Sequence, residues 1–252
     1  MQTIRFRGRV LPEPAEISIN SAPTVHWKVD EWQFAIETVC RIEKSKIDVT
    51  CHLPNWRSEY FDEVYRRAFD LCRAMVDVVG FKMAWGLTVI FDTFETPDGN
   101  ITSLLLRAPQ LEQLCTAFSL EQGFDAVCRH VLQRPLLFMA MRELITAISL
   151  PHVAPVECAR AIDRLKNLIA TPGSKDKAAW QQLRDTLRIN ETYLKYISDA
   201  SANPRHGQPG HTSGIITTEA TRRAWVVMNR YLEYLVRGEQ PLDPVAFPVI
   251  DR

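Results

Sequence analysis

The chain has 252 residues, 46% of them hydrophobic and 24% charged, which argues against a disordered polymer and suffices to bury one large core or two modest ones. Thirty Lys and Arg balance thirty Asp and Glu, so no global positive field marks the chain as a nucleic-acid or membrane binder, although a local patch is still open. The longest apolar runs, such as Leu136 to Ala140, fall far short of the roughly 20 residues that cross a bilayer, and MQTIRFRGRVLPEP lacks the apolar stretch of a secretory signal. The expectation is a cytoplasmic protein with no membrane partner.

The first third carries the period-two patterning of half-buried strands. RFRGRV, EISI, TVHWKV, FAIETV and KIDVTCHL are each bounded by Pro, Asn, Ser or Asp, and together they predict an antiparallel meander. From Ser58 the period changes. Phe61, Val64, Tyr65, Ala68, Leu71, Cys72, Met75 and Val79 recur at helical spacing, with Asp62, Glu63, Arg66, Arg67, Asp70 and Arg73 on the other face. This predicts an amphipathic helix lying across the sheet, capped by Ser58 and ended by Gly80. Two more strands, GLTVIFDTFE and NITSLLLR, flank TPDGN, where Asp98-Gly99 is a strong hairpin signal.

Pro109 marks a change to helical patterning. Helices are predicted over 109–119, 121–133, 135–149, 155–170, 175–200 and 218–237, with Pro135 and Pro155 in first-turn positions that need no amide proton. Val156, Ala159, Ile162, Leu165 and Ile169 form one apolar stripe. Trp180, Leu183, Leu187, Tyr193, Leu194 and Ile197 form a second, and Thr218 caps a last helix that Gly238 stops. The tail PLDPVAFPVIDR, rich in proline, is expected to lie extended over the fold, anchored by Phe247, or to be disordered. The predicted fold class is α+β: residues 1–107 an N-terminal antiparallel sheet with one packed amphipathic helix, 108–240 an all-α helical-bundle domain, and 241–252 a proline-rich tail.

Six cysteines, Cys40, Cys51, Cys72, Cys115, Cys128 and Cys158, show no CxxC pairing and read as buried thiols of a reducing compartment. Cys128 with His130 and Cys51 beside His52 are the closest groups to a zinc motif, and no metal or other cofactor is expected. His26 and His52 fall in strand-like segments; His130 on a helix and His152 in the turn SLPHVAP have no obvious acidic partner nearby in sequence. Asp92 in VIFDTFE reads as a strand-edge carboxylate. GxGxxG, GxxxxGK[ST], HExxH and GxSxG are all absent, which disfavours a P-loop nucleotide site and an α/β-hydrolase.

The loop NPRHGQPGH, Asn203 to His211, places two histidines and an arginine between two helical segments. Arg205 offers a planar donor fork for phosphate or carboxylate, and His206 or His211 an imidazole able to act as acid or base. An imidazole can take the proton of a ribose 2′-hydroxyl while a guanidinium stabilises charge growing at phosphorus, with no metal required. The competing reading is a turn: Gly207 and Gly210 permit positive dihedrals, and Arg205 can bond the carbonyls that end its own helix. Asn203, Arg222 and Arg223 are candidate binding residues; the segment from Lys175 to Glu239 carries a small basic surplus.

With Trp180, Leu183, Arg184 and Leu187 spaced W-x2-L-R-x2-L, and an Arg-His loop before the next helix, residues 109 to 238 resemble the HEPN superfamily. The resemblance implies a dimerising helical bundle and a metal-independent ribonuclease site made from an arginine and a histidine four to six residues apart; many such proteins serve in bacterial defence. Here Arg205 and His206 are adjacent, whereas Arg205 and His211 have five residues between them, including Pro209 and Gly210. Three functions follow: a binding or interaction module for RNA or a protein partner in a bacterial defence or stress system, a metal-independent ribonuclease, or an oligomeric structural subunit; a homodimer through the helical domain is a further expected partner.

Overall fold

The computed structural model describes residues 1–19, 24–29, 34–104, 108–119, 123–206 and 212–251. The chain divides into two compact units, Met1–Leu105 and Leu106–Arg252. The first is a six-stranded antiparallel sheet with one helix, the second is helical, and together they make an α+β chain.

In the first unit, β1 (Gln2–Leu11), β2 (Val25–Val29), β3 (Phe34–Glu43) and β4 (Lys46–Leu53) are followed by α1 (Phe61–Met83), β5 (Thr88–Glu95) and β6 (Ile101–Ser103). The sheet order is β2-β3-β4-β1-β5-β6, so β1 is central, with β4 and β5 on either side. Alternation decides the two faces. Ile4, Phe6 and Val10 of β1, Cys40 and Ile42 of β3, Val49, Cys51 and Leu53 of β4, and Phe91 and Phe94 of β5 are buried, while Arg5, Arg7, Arg9, Arg41 and Asp92 between them are not. Phe6 is the hub: its ring centroid lies 5.3 Å from Phe91, 5.1 Å from Phe94 and 5.9 Å from Tyr65 of α1. Each such buried aromatic contributes about 1.5–3 kcal/mol through its apolar area. Next to that hub the β1–β5 register slips between Arg7 and Gly8, and a Cβ on Gly8 would sit 2.0 Å from the Ile90 carbonyl oxygen. Only glycine allows that approach.

Several predicted boundaries move. EISI is not a full strand: Ile19 makes a single bridge to Ile42. Ser58 opens a 3-10 turn and α1 begins at Phe61 without a side-chain cap. The helix runs through Gly80 to Met83 and ends on Ala84 in the left-handed region. Gly80 instead meets the returning chain, since the Trp85 amide donates to its carbonyl at 2.9 Å. The Asp98-Gly99 hairpin forms as expected, with Gly99 at φ +82° and the Thr96 amide donating to Asn100 O.

The second unit holds α2 (Pro109–Glu112), α3 (Gly123–Gln133), α4 (Pro135–Ser149), α5 (Ala154–Ile169), α6 (Asp176–Leu187), α7 (Glu191–Arg205) and α8 (Gly214–Val236). α5 is its centre, packed on α4, α6, α7 and α8. Small buried residues, Ala154, Cys158 and Ala161, let the neighbours approach, and Ile162 and Leu165 fill the space between. The helix expected over 175–200 is two helices. Arg188 takes φ +55° between them, and the Asn190 side chain accepts from the Thr192 amide to start α7. Ser213, not Thr218, caps α8.

The tail is an ordered strap on this unit. Ile250 pairs with Ile189, Leu242 is buried, and the Arg188 Nε donates to Phe247 O at 2.8 Å. Arg230 of α8 is buried and donates to Leu187 O, Arg188 O and Pro248 O at 2.7–2.9 Å, so one guanidinium ties the end of α6 to the tail. The Phe247 ring lies under Arg230 and Arg237.

Candidate functional site

The last turn of α7 carries Asn203, Pro204 and Arg205, because the helix continues through the segment expected to turn. The His206 amide closes it by donating to Ala202 O and Asn203 O. Arg205 therefore does not tie off its own helix. Its guanidinium reaches across to Asp163 of α5 at 3.8 Å, a loose and partly exposed pair that contributes well under about 1 kcal/mol. The His206 imidazole is exposed and has no hydrogen-bond partner among the described residues. Arg205 and His206 stand side by side at the surface, and His211 lies outside the described residues.

Arg222 and Arg223 sit further along α8, Arg222 about 12 Å from its first residue at the helical rise of 1.5 Å per residue. Both turn to Glu219. Arg222 grips that carboxylate with two bonds of 2.7 and 2.8 Å, and Arg223 Nε adds a third at 2.6 Å. These bonds hold the Glu219 carboxyl down at about 2. Arg223 also lies over the rings of Tyr193 and Tyr196, 4.8 and 4.2 Å from their centroids. An incoming phosphate would have to compete with Glu219 for both guanidiniums.

The open face of the first unit's sheet is charged in rows. His26, Glu37, His52 and Thr3 stand directly opposite one another across β2, β3, β4 and β1, with Thr3 Oγ1 3.1 Å from His52 Nδ1. Arg7 pairs with Glu95 at 2.8 Å, and Arg9 with Asp92 at 3.4 Å; Asp92, expected at a strand edge, stands instead within β5, between β1 and β6. A wide hollow of about 950 Å³ over Arg7, Arg9, Arg41, Glu43, Lys46 and Asp48 has walls of both signs. It lacks the apolar lining of a small-molecule site. Among the described residues no three His, Cys, Asp or Glu side chains converge to hold a metal ion.

His130 does have an acidic connection, though not from its sequence neighbours. Arg134, one turn along, lies with Nη1 2.5 Å from His130 Nδ1, and its other nitrogen bonds Glu239 beyond α8. Partial burial, then the Arg134 charge, pushes the His130 imidazole below its ordinary value. Glu239 is 105 positions from Arg134, out of reach of any local reading. His152 lies in the 3-10 turn Pro151–Val153 that joins α4 to α5.

The helix α4 carries apolar side chains on both of its sides. Its inner side, Leu137, Ala140, Leu144 and Ala147, is buried against the core. Its outer side carries Phe138 at 48% exposure, Ile145 at 51% and Met139 at 37%, spaced as one helical stripe. Leu132, just before the helix, is 85% exposed. Two charges lie on α4. Glu143 turns inward and takes both its oxygens to Arg164 Nε of α5 at 2.8 and 2.9 Å. Arg142 points outward in the middle of the stripe and has no ion pair among the described residues. A helix with hydrocarbon on both sides belongs between two surfaces, and among the described residues the outer one is left partly exposed. The composition PLLFMAMRELITAIS signals this in the sequence, yet only packing shows which side is left over.

Residues 4–105 match the family model described as Domain of unknown function (DUF8168) N-terminal domain, and residues 124–236 match Domain of unknown function (DUF8168) C-terminal domain. The two matches fall one within each unit. No curated protein and no solved structure matches the chain. Among the described residues no helix is long and apolar enough to cross a membrane.

Proposed function

We propose that this chain is a cytoplasmic interaction module that docks another protein on the outer side of α4. The observation that carries this reading is the stripe of Phe138, Met139 and Ile145 around Arg142, which has no ion pair among the described residues. Apolar side chains in water favour burial at about 25 cal/mol per Å², and a guanidinium among them selects for a carboxylate. The fitting partner is an amphipathic helix of another protein that sets an Asp or Glu among its apolar residues, laid along α4 as a helix in a groove.

A photo-crosslinking amino acid at position 138, in cells that make the chain, tests it. The expected adduct joins a different protein through a helical, acid-containing peptide and is lost in the Arg142→Glu variant. An adduct with a second copy of the chain would support the oligomeric reading instead, and an adduct unaffected by Arg142→Glu would contradict the proposed partner chemistry.

A second reading is favoured by the exposure of Arg205 beside His206: metal-independent cleavage of RNA, with the imidazole as base and the guanidinium on the phosphate. RNA bound without cleavage would place the same segment in a binding role. In either case the basic side chains Arg222 and Arg223 serve only once Glu219 has released them.

A further inference from the structure

Beneath α1, three thiols gather on the inner face of the sheet. Cys40 of β3 and Cys51 of β4 point up from the sheet, and Cys72 points down from the middle of α1. Cys40 Sγ and Cys72 Sγ are in contact at 3.2 Å, and both residues are buried. Cys51 is engaged elsewhere: Thr38 Oγ1 donates to its sulfur at 3.7 Å, and burial pushes its thiol up to about 12. The remaining cysteines, Cys115, Cys128 and Cys158, lie in the second unit, where Cys115 accepts from Trp225 Nε1 and Cys158 donates to Thr221 Oγ1.

We infer that Cys40 and Cys72 are an oxidation site, closed to a disulfide by a peroxide, which fastens α1 covalently to β3. The sulfur of one residue, as thiolate, attacks a peroxide oxygen and becomes a sulfenic acid; the O–O bond breaks and the hydroxide that leaves takes up the proton the thiol had lost, as the first water. The other thiol then attacks that sulfur, the S–S bond forms, and hydroxide leaves and takes the remaining proton as a second water. Two thiols and one hydrogen peroxide give one disulfide and two waters. The partner sulfur is already in contact, so the sulfenic acid is captured within the pair, and closing the bond requires the sulfurs to approach by about 1.2 Å to the disulfide length near 2.0 Å.

Burial sets the conditions. The thiol of Cys72 is held well above its ordinary value by its contact with Cys40 and by burial, so the thiolate is scarce and the first step is slow at neutral pH. Oxidation therefore proceeds through local opening of α1 from the sheet and accelerates when the helix is loosened. In a reducing compartment the pair stays open; it closes when peroxide outpaces thiol reductants.

The test uses the intact chain. Folded protein is treated with millimolar hydrogen peroxide, quenched, alkylated under denaturing conditions and weighed, with peptide mapping. The expected result is a loss of two alkylated cysteines out of six, a Cys40–Cys72 linked peptide, a higher urea midpoint, and reversal of all three by dithiothreitol. The Cys72→Ala variant, checked for its native circular dichroism, keeps Cys40 alkylatable or carries it as a sulfenic acid trapped by dimedone, and gains no urea resistance. Six alkylated cysteines after treatment of the wild type, or a linkage between any other pair, would overturn the inference.

Discussion

Leu137 is wholly buried and Phe138, the next residue along α4, is about half exposed, so two adjacent apolar side chains divide one helix between the core and the solvent. That division has a direct consequence for stability. Leu144→Ala, on the inner side, removes a side chain from a packed core and is expected to cost about 2–5 kcal/mol in urea unfolding. Phe138→Glu, on the outer side, replaces hydrocarbon that contacts water and places a negative charge near the helix start, and is expected to shift stability by less than about 0.5 kcal/mol.

The strap makes a second prediction. Arg230 is buried and satisfies three carbonyls that have lost water, so Arg230→Met, which keeps the bulk and removes the donors, is expected to cost about 2–3 kcal/mol. Deleting residues from Leu242 onward removes the Ile250–Ile189 pairing and the Phe247 contact and should destabilise in the same direction. The two changes share partners, so the double variant should lose less than the sum of the singles in urea midpoints.

Acid sensitivity follows from Glu219. Its carboxyl is held at about 2 in the fold against an ordinary value of 4.5, chiefly by the hydrogen bonds from Arg222 and Arg223. A depressed folded-state value stabilises the fold above pH 4.5, and that stability is lost as pH falls from 4.5 toward 2. Solvent screening of this partly exposed cluster reduces the effect to about 1–2 kcal/mol. Glu219→Gln should lower stability at pH 7 and flatten the decline below pH 4.5, read from urea midpoints across pH.

The exposed pair at the end of α7 gives a third kind of test. If Arg205 and His206 cleave RNA, labelled RNA is cut in the presence of EDTA, and Arg205→Ala and His206→Ala each lower the rate at least about 100-fold, the scale of a general base or a charge stabiliser. Cleavage that survives both substitutions would remove them from the reaction. A salt-sensitive shift of RNA without cutting, weakened by the same substitutions, would assign them to binding.

Much of the architecture is readable from the residues alone, because hydrophobic period and turn chemistry act locally. The alternation in β1, the helical stripe of α1 and the Asp98-Gly99 hairpin each need only a few consecutive positions. The break between α6 and α7 needed more. Leu187, Tyr193 and Leu194 keep a helical spacing, and neither Gly nor Pro intervenes; Arg188 turns to φ +55° with its carbonyl taken by Arg230 and by the Ile250 amide, both from distant sequence. The candidate sites divide the same way. Arg205 and His206 were visible as a pair by adjacency. The Glu219 clamp on Arg222 and Arg223 also lay within one helical turn, at three and four residues, a spacing that marks them as self-paired. The contact of Arg134 with Glu239 and the pairing of Cys40 with Cys72 depend on tertiary packing, and no local pattern announces them.

The most direct measurement is the affinity of the partner helix itself. The peptide identified by crosslinking at position 138 is synthesised and titrated calorimetrically into the purified chain, its Phe138→Glu variant and its Arg142→Glu variant. The expected outcome is saturable binding to the native chain, at least roughly 30-fold weaker with either substitution, as for an interface hot spot, and partly restored to Arg142→Glu when the peptide's acidic residue is changed to Lys. Equal affinity for all three proteins would show that the outer side of α4 is not where the partner sits.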